Sequence, residues 1–443
     1  MTLEHSLASW LPGQRWYPGG TADDLAIVAD TQLAAGDPEL RHLVITAGRG
    51  GAAARYQVLA GVRDAVPREL GHAVIGPDGS GRTAYDALHD PELTRVLLRG
   101  ISDERTAGPL RFVRERAAPI EETADSLVLS AEQSNTSLIF GESVILKVFR
   151  RVFAGQNPDL EVTRALARLG SPHVTQPFGW IEARLDDGEP ALLAILSQYL
   201  RGACDGWSLA ATSRRDLYAD TSRAAEAGGD FAGEARRLGA ATASVHADLA
   251  TAFGTSTLGP AAVAELAAQM RGRLEAASAE VPELEAQAGK IAAAYAELAD
   301  LGAPLPTQRV HGDYHLAQVL RTQTGWVALD FEGEPATPLA RRRSRSPAEQ
   351  DVAGMLRSFD YAARHQLTGR PDRASLCGAA REWVTRNTDA FCAGYADVSG
   401  TDPRARAALL RALMLDKAVY EVTYEARHRP SWTSIPLDAI AGM

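Results

Sequence analysis

Short apolar runs broken by glycine and proline fill the first 120 residues of the chain. RHLVITAG (41–48), ARYQVLAGV (54–62) and GHAVIG (71–76) have the length and punctuation of strands. Ala84–Leu98 reads as helix. No cluster of acids, histidines or cysteines stands out here, and Trp10, Trp16 and Tyr17 read as packing residues. The expectation is a small α+β domain over residues 1–120, structural or regulatory in role. Residues 121–200 read as a second sheet-rich unit: SLVLSAEQ, TSLIFG, ESVILKVF and ALLAILSQYL alternate or run apolar as strands do. Between them PDLEVTRALARLG has helical spacing, with Leu160, Thr163, Leu166 and Leu169 on one face and Gly170 at its end. Residues 201–443 are mainly helical, with helix pairs in 213–253 and 261–298 and a long helix before Pro430.

At 443 residues the chain exceeds one comfortable core, so two or three domains are expected. A formal charge of −10 argues against a general nucleic-acid or anionic-membrane surface. Cys204, Cys377 and Cys392 lack close metal-ligand spacing and read as reduced thiols. With neither a secretory leader pattern nor a long apolar stretch, the expected location is cytoplasmic. The arginines at 341–343 and 345 read as a solvated or pairing loop, not a nucleic-acid site.

Chemistry concentrates in VHGDYHLAQVL (310–320) and WVALDFEGEP (326–335). Both place an acid where an apolar run ends. Asp313 follows Gly312, which permits a tight turn, and can orient a hydroxyl nucleophile. Asp330 can hold magnesium on a nucleotide phosphate, with Gln318 as a further hard oxygen donor and Glu332 nearby. His311 and His315 read as loop supports more than bases. Asp351 reads as a helix cap or as a holder of the catalytic loop.

Upstream, Lys147 is flanked by apolar residues and needs an anion partner or an exit to water. A bridging role on ATP phosphates supplies the partner, with Glu161 on the following helix as its carboxylate. The polar turn Ser134, Asn135, Thr136 and Ser137 can hydrogen-bond phosphate, and there is no GxxxxGK[ST] loop. A zinc hydrolase built on His311, Asp313, His315 and Asp330 would leave Lys147 and Gln318 without a task. The combined reading is magnesium-dependent phosphoryl transfer from ATP to a hydroxyl compound.

The chain resembles the maltokinases, a branch of the aminoglycoside-phosphotransferase and protein-kinase-like superfamily. HGDYHLAQVL and ALDFEGEP resemble that family's catalytic and metal segments. SNTSLIF and VILKVFR resemble its nucleotide lobe, and LDKAVYEVTYEARHRPSWTSIPL its tail. The resemblance implies a bilobal protein-kinase-like α+β fold with an additional N-terminal cap domain and a largely helical C-terminal lobe. It implies Asp313 as catalytic aspartate, Gln318 and Asp330 as magnesium ligands, and Lys147 with Glu161 at the ATP phosphates. It also implies maltose 1-phosphate as product, feeding α-glucan synthesis alongside trehalose/maltose-converting and maltosyltransferase enzymes. One departure is QRWYPGG (14–20), where the family often has RWFAGKG, so its lysine is absent at Gly20.

On the tail helix Lys417, Tyr420, Glu421 and Tyr424 fall near one face and offer an aromatic surface with polar groups, suited to a sugar. Trp432, like Asp205 and Trp207 in CDGWS, could face the acceptor or serve only packing. Another small sugar such as glucosamine, or an aminoglycoside, is the alternative acceptor.

Overall fold

The computed structural model describes residues 2–18, 20–22, 24–48, 53–115, 120–129, 134–185, 188–220, 230–334 and 337–443. They form two compact units, Met1–Arg164 with Thr175–Arg201 and Ala165–Val174 with Gly202–Met443. The end of the expected strand SLVLSAEQ, residues 130–133, lies outside the described residues.

The first unit opens with helix α1 (Leu3–Trp10), capped by the Thr2 hydroxyl. Strands β1 (Ala26–Ala34), β2 (Glu39–Ala47), β3 (Ala54–Arg63), β4 (Val74–Pro77) and β5 (Thr83–Asp86) make an antiparallel sheet in the order β1-β2-β3-β5-β4. Leu3, Leu7, Leu11 and Tyr17 pack on Leu43, Ile45, Val58 and Val62, with Trp10 and Trp16 against the same core, as expected of packing residues. The expected helix from Ala84 is corrected. Ala84–Asp86 pair with β3, and helix α2 (Pro91–Ser102) begins only after Asp90, whose carboxylate accepts from Glu92 N. Strand pairing overrides local propensity there, and Asp90-Pro91 is a strong start signal.

A second sheet follows in the same unit: β6 (Thr106–Ala107), β7 (Leu110–Arg114), β8 (Ser126–Val128), β9 (Asn135–Phe140), β10 (Val144–Phe149), β11 (Pro177–Ala183) and β12 (Ala191–Gln198). Their order is β6-β7-β11-β12-β10-β9-β8, with the start of helix α3 (Pro158–Arg168) following β10 in sequence. Buried polar groups join the two sheets. The Gln57 amide donates to the Phe149 carbonyl at 2.6 Å and the Leu193 carbonyl at 2.7 Å. Arg150 pairs with Asp86 at 2.5 Å and lies over the Trp16 ring at 4.9 Å. Such groups are tolerated inside only when partnered.

The second unit is mostly helical: α4 (Gly206–Asp220), α5 (Ala232–Phe253), α6 (Pro260–Glu280), α7 (Glu285–Ala299), α8 (Leu339–Arg342), α9 (Glu349–His365), α10 (Arg373–Ser399), α11 (Ala407–His428) and α12 (Ser434–Gly442). Strands β13 (Cys204–Asp205), β16 (Val319–Arg321) and β17 (Trp326–Ala328) form one small sheet, β14 (Thr255–Leu258) and β15 (Leu305–Gln308) another. Helices α5 and α10 cross at two glycines. A Cβ on Gly239 would stand 2.0 Å from the Phe391 carbonyl oxygen, and one on Gly394 1.9 Å from that of Arg236. Gly239→Ala is therefore expected to destabilise the protein by about 1–3 kcal/mol through overpacking. Thermal unfolding checks this; an unchanged Tm would show that the helices yield freely. Among the described residues no helix is long and apolar enough to cross a membrane.

Candidate active site

Lys147 lies on β10, which is paired on both sides, with β9 and with β12. It is thus an interior-strand lysine, not an edge lysine with its head in water. Its ammonium is 3.4 Å from Asp159 Oδ2, and its side chain is 15% exposed. Asp159 stands two residues before the expected partner Glu161, in the first turn of α3. That turn is fixed by Asn157, whose side-chain oxygen accepts from Asp159 N at 2.8 Å and Leu160 N at 3.3 Å. Ser137 is directly opposite Lys147 in the ladder and Asn135 opposite Phe149, so both share the lysine's face. Ser134 is exposed at the end of the turn. Thr136 belongs to the other face, and its hydroxyl accepts from Arg150 Nε at 2.8 Å in the buried polar core. Strand alternation separates it from Lys147.

In the second unit the acid-bearing loop is held from below. Asp351, on α9, accepts from His311 N at 2.7 Å and Gly312 N at 2.9 Å, and from His246 Nε2 at 3.0 Å. The holding role read from sequence is the one the geometry shows. Gly312 takes φ +84, as the tight turn requires. Gly354 lets α9 back directly onto the loop, since a Cβ there would meet the Tyr314 carbonyl oxygen at 2.6 Å. His311 donates from Nε2 to the Leu329 carbonyl at 2.6 Å and accepts from Asp313 N at 3.3 Å through Nδ1. It braces the loop, and both ring nitrogens are used in doing so.

Gln318 is tied to the other acid segment by its backbone carbonyl, which accepts from Leu329 N at 2.9 Å. Asp330 follows with φ +57, a left-handed conformation that costs a non-glycine residue about 1–3 kcal/mol. Gln318, Asp330 and Glu332 are all half-buried. Hard oxygen donors on two adjoining segments fit a magnesium ion.

Asp313 is met by Lys417 from α11, Nζ to Oδ1 3.1 Å, while His315 Nε2 lies 3.8 Å from Oδ2. Burial pushes the Asp313 carboxyl up, but the charges of Lys417 and His315 and the Lys417 hydrogen bond outweigh it and hold it below the usual range. Burial lowers His315, which favours its neutral form. Lys417 also reaches Glu334 Oε1 at 2.6 Å and lies 4.9 Å from the Tyr420 ring centroid. Tyr420 and Tyr424 have centroids 6.2 Å apart, so the expected aromatic face exists. Glu421 turns instead to the buried Arg357, at 2.6 Å. At the end of α9, Trp432 and Trp207 flank His365, with centroids 4.5 Å and 5.7 Å from it.

Sequence reasoning missed Asp159, Glu334 and Arg357. Glu334 sits 83 positions from Lys417 and Arg357 64 from Glu421, and no local pattern couples such pairs.

With this geometry in hand, two family profiles match the chain. One described as the maltokinase N-terminal cap domain covers residues 10–90, and one described as the phosphotransferase enzyme family covers residues 126–409. A glucosamine kinase from Streptacidiphilus jiangxiensis is 34% identical over 342 residues, 72% of this chain and 73% of that protein. Another from Mycolicibacterium smegmatis is 28% identical over 330 residues, 71% of this chain and 78% of that protein. A solved glucosamine kinase in complex with glucosamine, ADP and inorganic phosphate matches with a TM-score of 0.70 at 27% identity, over 99% of this chain and 98% of that one.

Proposed function

Because the chain belongs to the phosphotransferase enzyme family, we propose that it transfers the γ-phosphoryl group of ATP to a hydroxyl of a small sugar, with glucosamine as the first acceptor. The observation that carries this reading is the Asp313 carboxylate, presented from a loop pinned by Asp351 and kept ionised beside Lys417. Such a group accepts the hydrogen bond of the attacking hydroxyl, aligns it, and takes its proton late in a loose transition state. Lys147, held by Asp159, is assigned to the ATP phosphates with Glu161 as a further carboxylate of α3, and Ser134, Asn135 and Ser137 to the turn over them. Gln318 and Asp330 would hold magnesium, which when bound neutralises phosphate charge. Tyr420 and Tyr424 offer the sugar an apolar face.

The choice of glucosamine rests on the glucosamine kinases to which the chain is similar, one of them solved with that sugar and ADP. The resemblance to the maltokinases put maltose first. Maltose stays as the second reading because the cap profile matches residues 10–90.

The test is incubation with ATP, magnesium and either glucosamine, glucose or maltose, followed by phosphorus and proton NMR. A phosphorylated glucosamine as the preferred product supports the first reading. A phosphate coupled to the anomeric proton of maltose supports the second. ADP and free phosphate with no phosphorylated sugar would reject both.

A further inference from the structure

Among the described residues, the ammonium of Lys417 is met by Asp313 at 3.1 Å, Glu334 at 2.6 Å and the Tyr420 ring at 4.9 Å. Two carboxylates and an aromatic face around one nitrogen are the groups that recognise a primary ammonium. Here the chain fills that place itself. The three acids of α11 are met in the same way. Asp416 pairs with Arg273 at 2.7 Å, Glu421 with Arg357 at 2.6 Å, and Glu425 with Arg429 at 2.7 Å. Asp360, beside Arg357, is also bonded by Arg364 at 2.9 Å. Among the described residues, α11 and the groups packed on its site-facing side offer an incoming amine no carboxylate without a cation.

We propose that Lys417 is a specificity-determining residue: its side chain fills a cation cage of Asp313, Glu334 and Tyr420, so that the acceptor meets Asp313 with an uncharged hydroxyl. The proposal rests on the sugar-kinase reading and deepens it. An amine on the acceptor then lies away from the reacting hydroxyl, and the wild-type protein gains little there from a positive charge. Without Lys417, Asp313 and Glu334 become two carboxylates sharing a site with no cation, an arrangement that draws in a positive charge or a proton. A protonated amino sugar supplies that charge and a neutral sugar does not. The lysine thus decides whether a positive charge is selected at the reacting end of the acceptor, and leaves recognition of an amine elsewhere on the sugar to other groups.

Glu334 is the second wall of the cage. It holds Lys417 at a shorter distance than Asp313 does, so the ammonium is shared and leaves an Asp313 oxygen for the acceptor hydroxyl. The carboxylate accepts more than one hydrogen bond, so the lysine and a hydroxyl do not compete for one lone pair.

Two measurements test this. The first uses methylammonium as probe and needs no turnover. Calorimetric titration is expected to show binding to Lys417→Ala and none to the wild type. The second compares kcat/KM for glucosamine with that for glucose. The ratio is expected to rise by about tenfold in Lys417→Met, equivalent to a change of about 1.4 kcal/mol, and to stay at the wild-type value in Lys417→Arg. Lys417→Gln matches Lys417→Met in length but is polar, and should raise the ratio in the same direction if the apolar variants fail to fold. Equal methylammonium binding by wild type and Lys417→Ala, or an unchanged ratio in Lys417→Met and Lys417→Gln, overturns the proposal. Gained methylammonium binding with no turnover of any sugar by the wild type would support the cage and reject the sugar reading instead.

Discussion

Asp313→Asn is expected to lower kcat by about 10²–10⁴-fold while nucleotide affinity stays near that of the wild type. The substitution keeps the volume and one oxygen, so the loop pinned by Asp351 through His311 N and Gly312 N has no reason to move. It removes the negative charge and the proton acceptor. In the wild type, burial would raise the Asp313 carboxyl, but Lys417 and His315 more than offset it. The carboxylate is therefore ionised throughout the neutral range, and protonation removes it only below the usual carboxylate range. The expected result is a kcat effect without a matching loss of ATP binding, seen by single-turnover kinetics beside calorimetric titration of the nucleotide. Near-normal turnover in Asp313→Asn would remove Asp313 from the proton path and leave its loop a binding element.

Most of the candidate residues are legible in the chain because their signals are local. Gly312-Asp313 carries its own turn, and Asp330 follows an apolar strand. Lys147 is marked by the apolar residues on either side of it. What remains hidden depends on pairing between distant segments. Alternation in NTSLIF separates Thr136 from Ser137, but only the register against β10 shows that Ser137 shares the face of Lys147. The hydroxyl of Thr136 goes to Arg150, which meets Asp86, 64 positions earlier.

The fold shows the same division. Strands β2, β3, β9, β10 and β12 announce themselves by apolar runs. Strand β11 begins at a proline and contains Gly179, whose missing Cβ leaves room for the Val113 carbonyl at 2.3 Å, so its local signal is that of a loop. Glu421 follows the helical face that spacing predicts, but Arg357 on α9 decides what its carboxylate does. Periodicity gives the face of a helix and not the residue opposite.

Asp351→Ala should be the most damaging change that touches no substrate, with about 3–5 kcal/mol of stability lost. The carboxylate is 2% exposed and accepts three hydrogen bonds, from His311 N, Gly312 N and His246 Nε2. Truncation leaves the buried His311 N–H, the half-buried Gly312 N–H and an imidazole without their acceptor, and each such orphan is costly. Activity should fall with stability, because the loop that carries Asp313 loses its anchor. A displacement of about 1 Å at a catalytic group is worth about 10²-fold in rate.

The pH dependence of the loss separates this carboxylate from ordinary packing. Burial raises Asp351, but the His246 hydrogen bond, the charges of His246 and His311 and the Gly312 N–H outweigh it and lower its pKa. A folded-state value below the unfolded one means that the contribution is complete above the unfolded carboxylate range. It is lost as pH falls through the folded value. Urea unfolding of wild type and Asp351→Ala should therefore show a wide gap at neutral pH that narrows in acid. A gap that stays constant with pH would assign the loss to volume alone. Wild-type kcat in a destabilised Asp351→Ala would show that the Asp313 loop holds its geometry without this anchor.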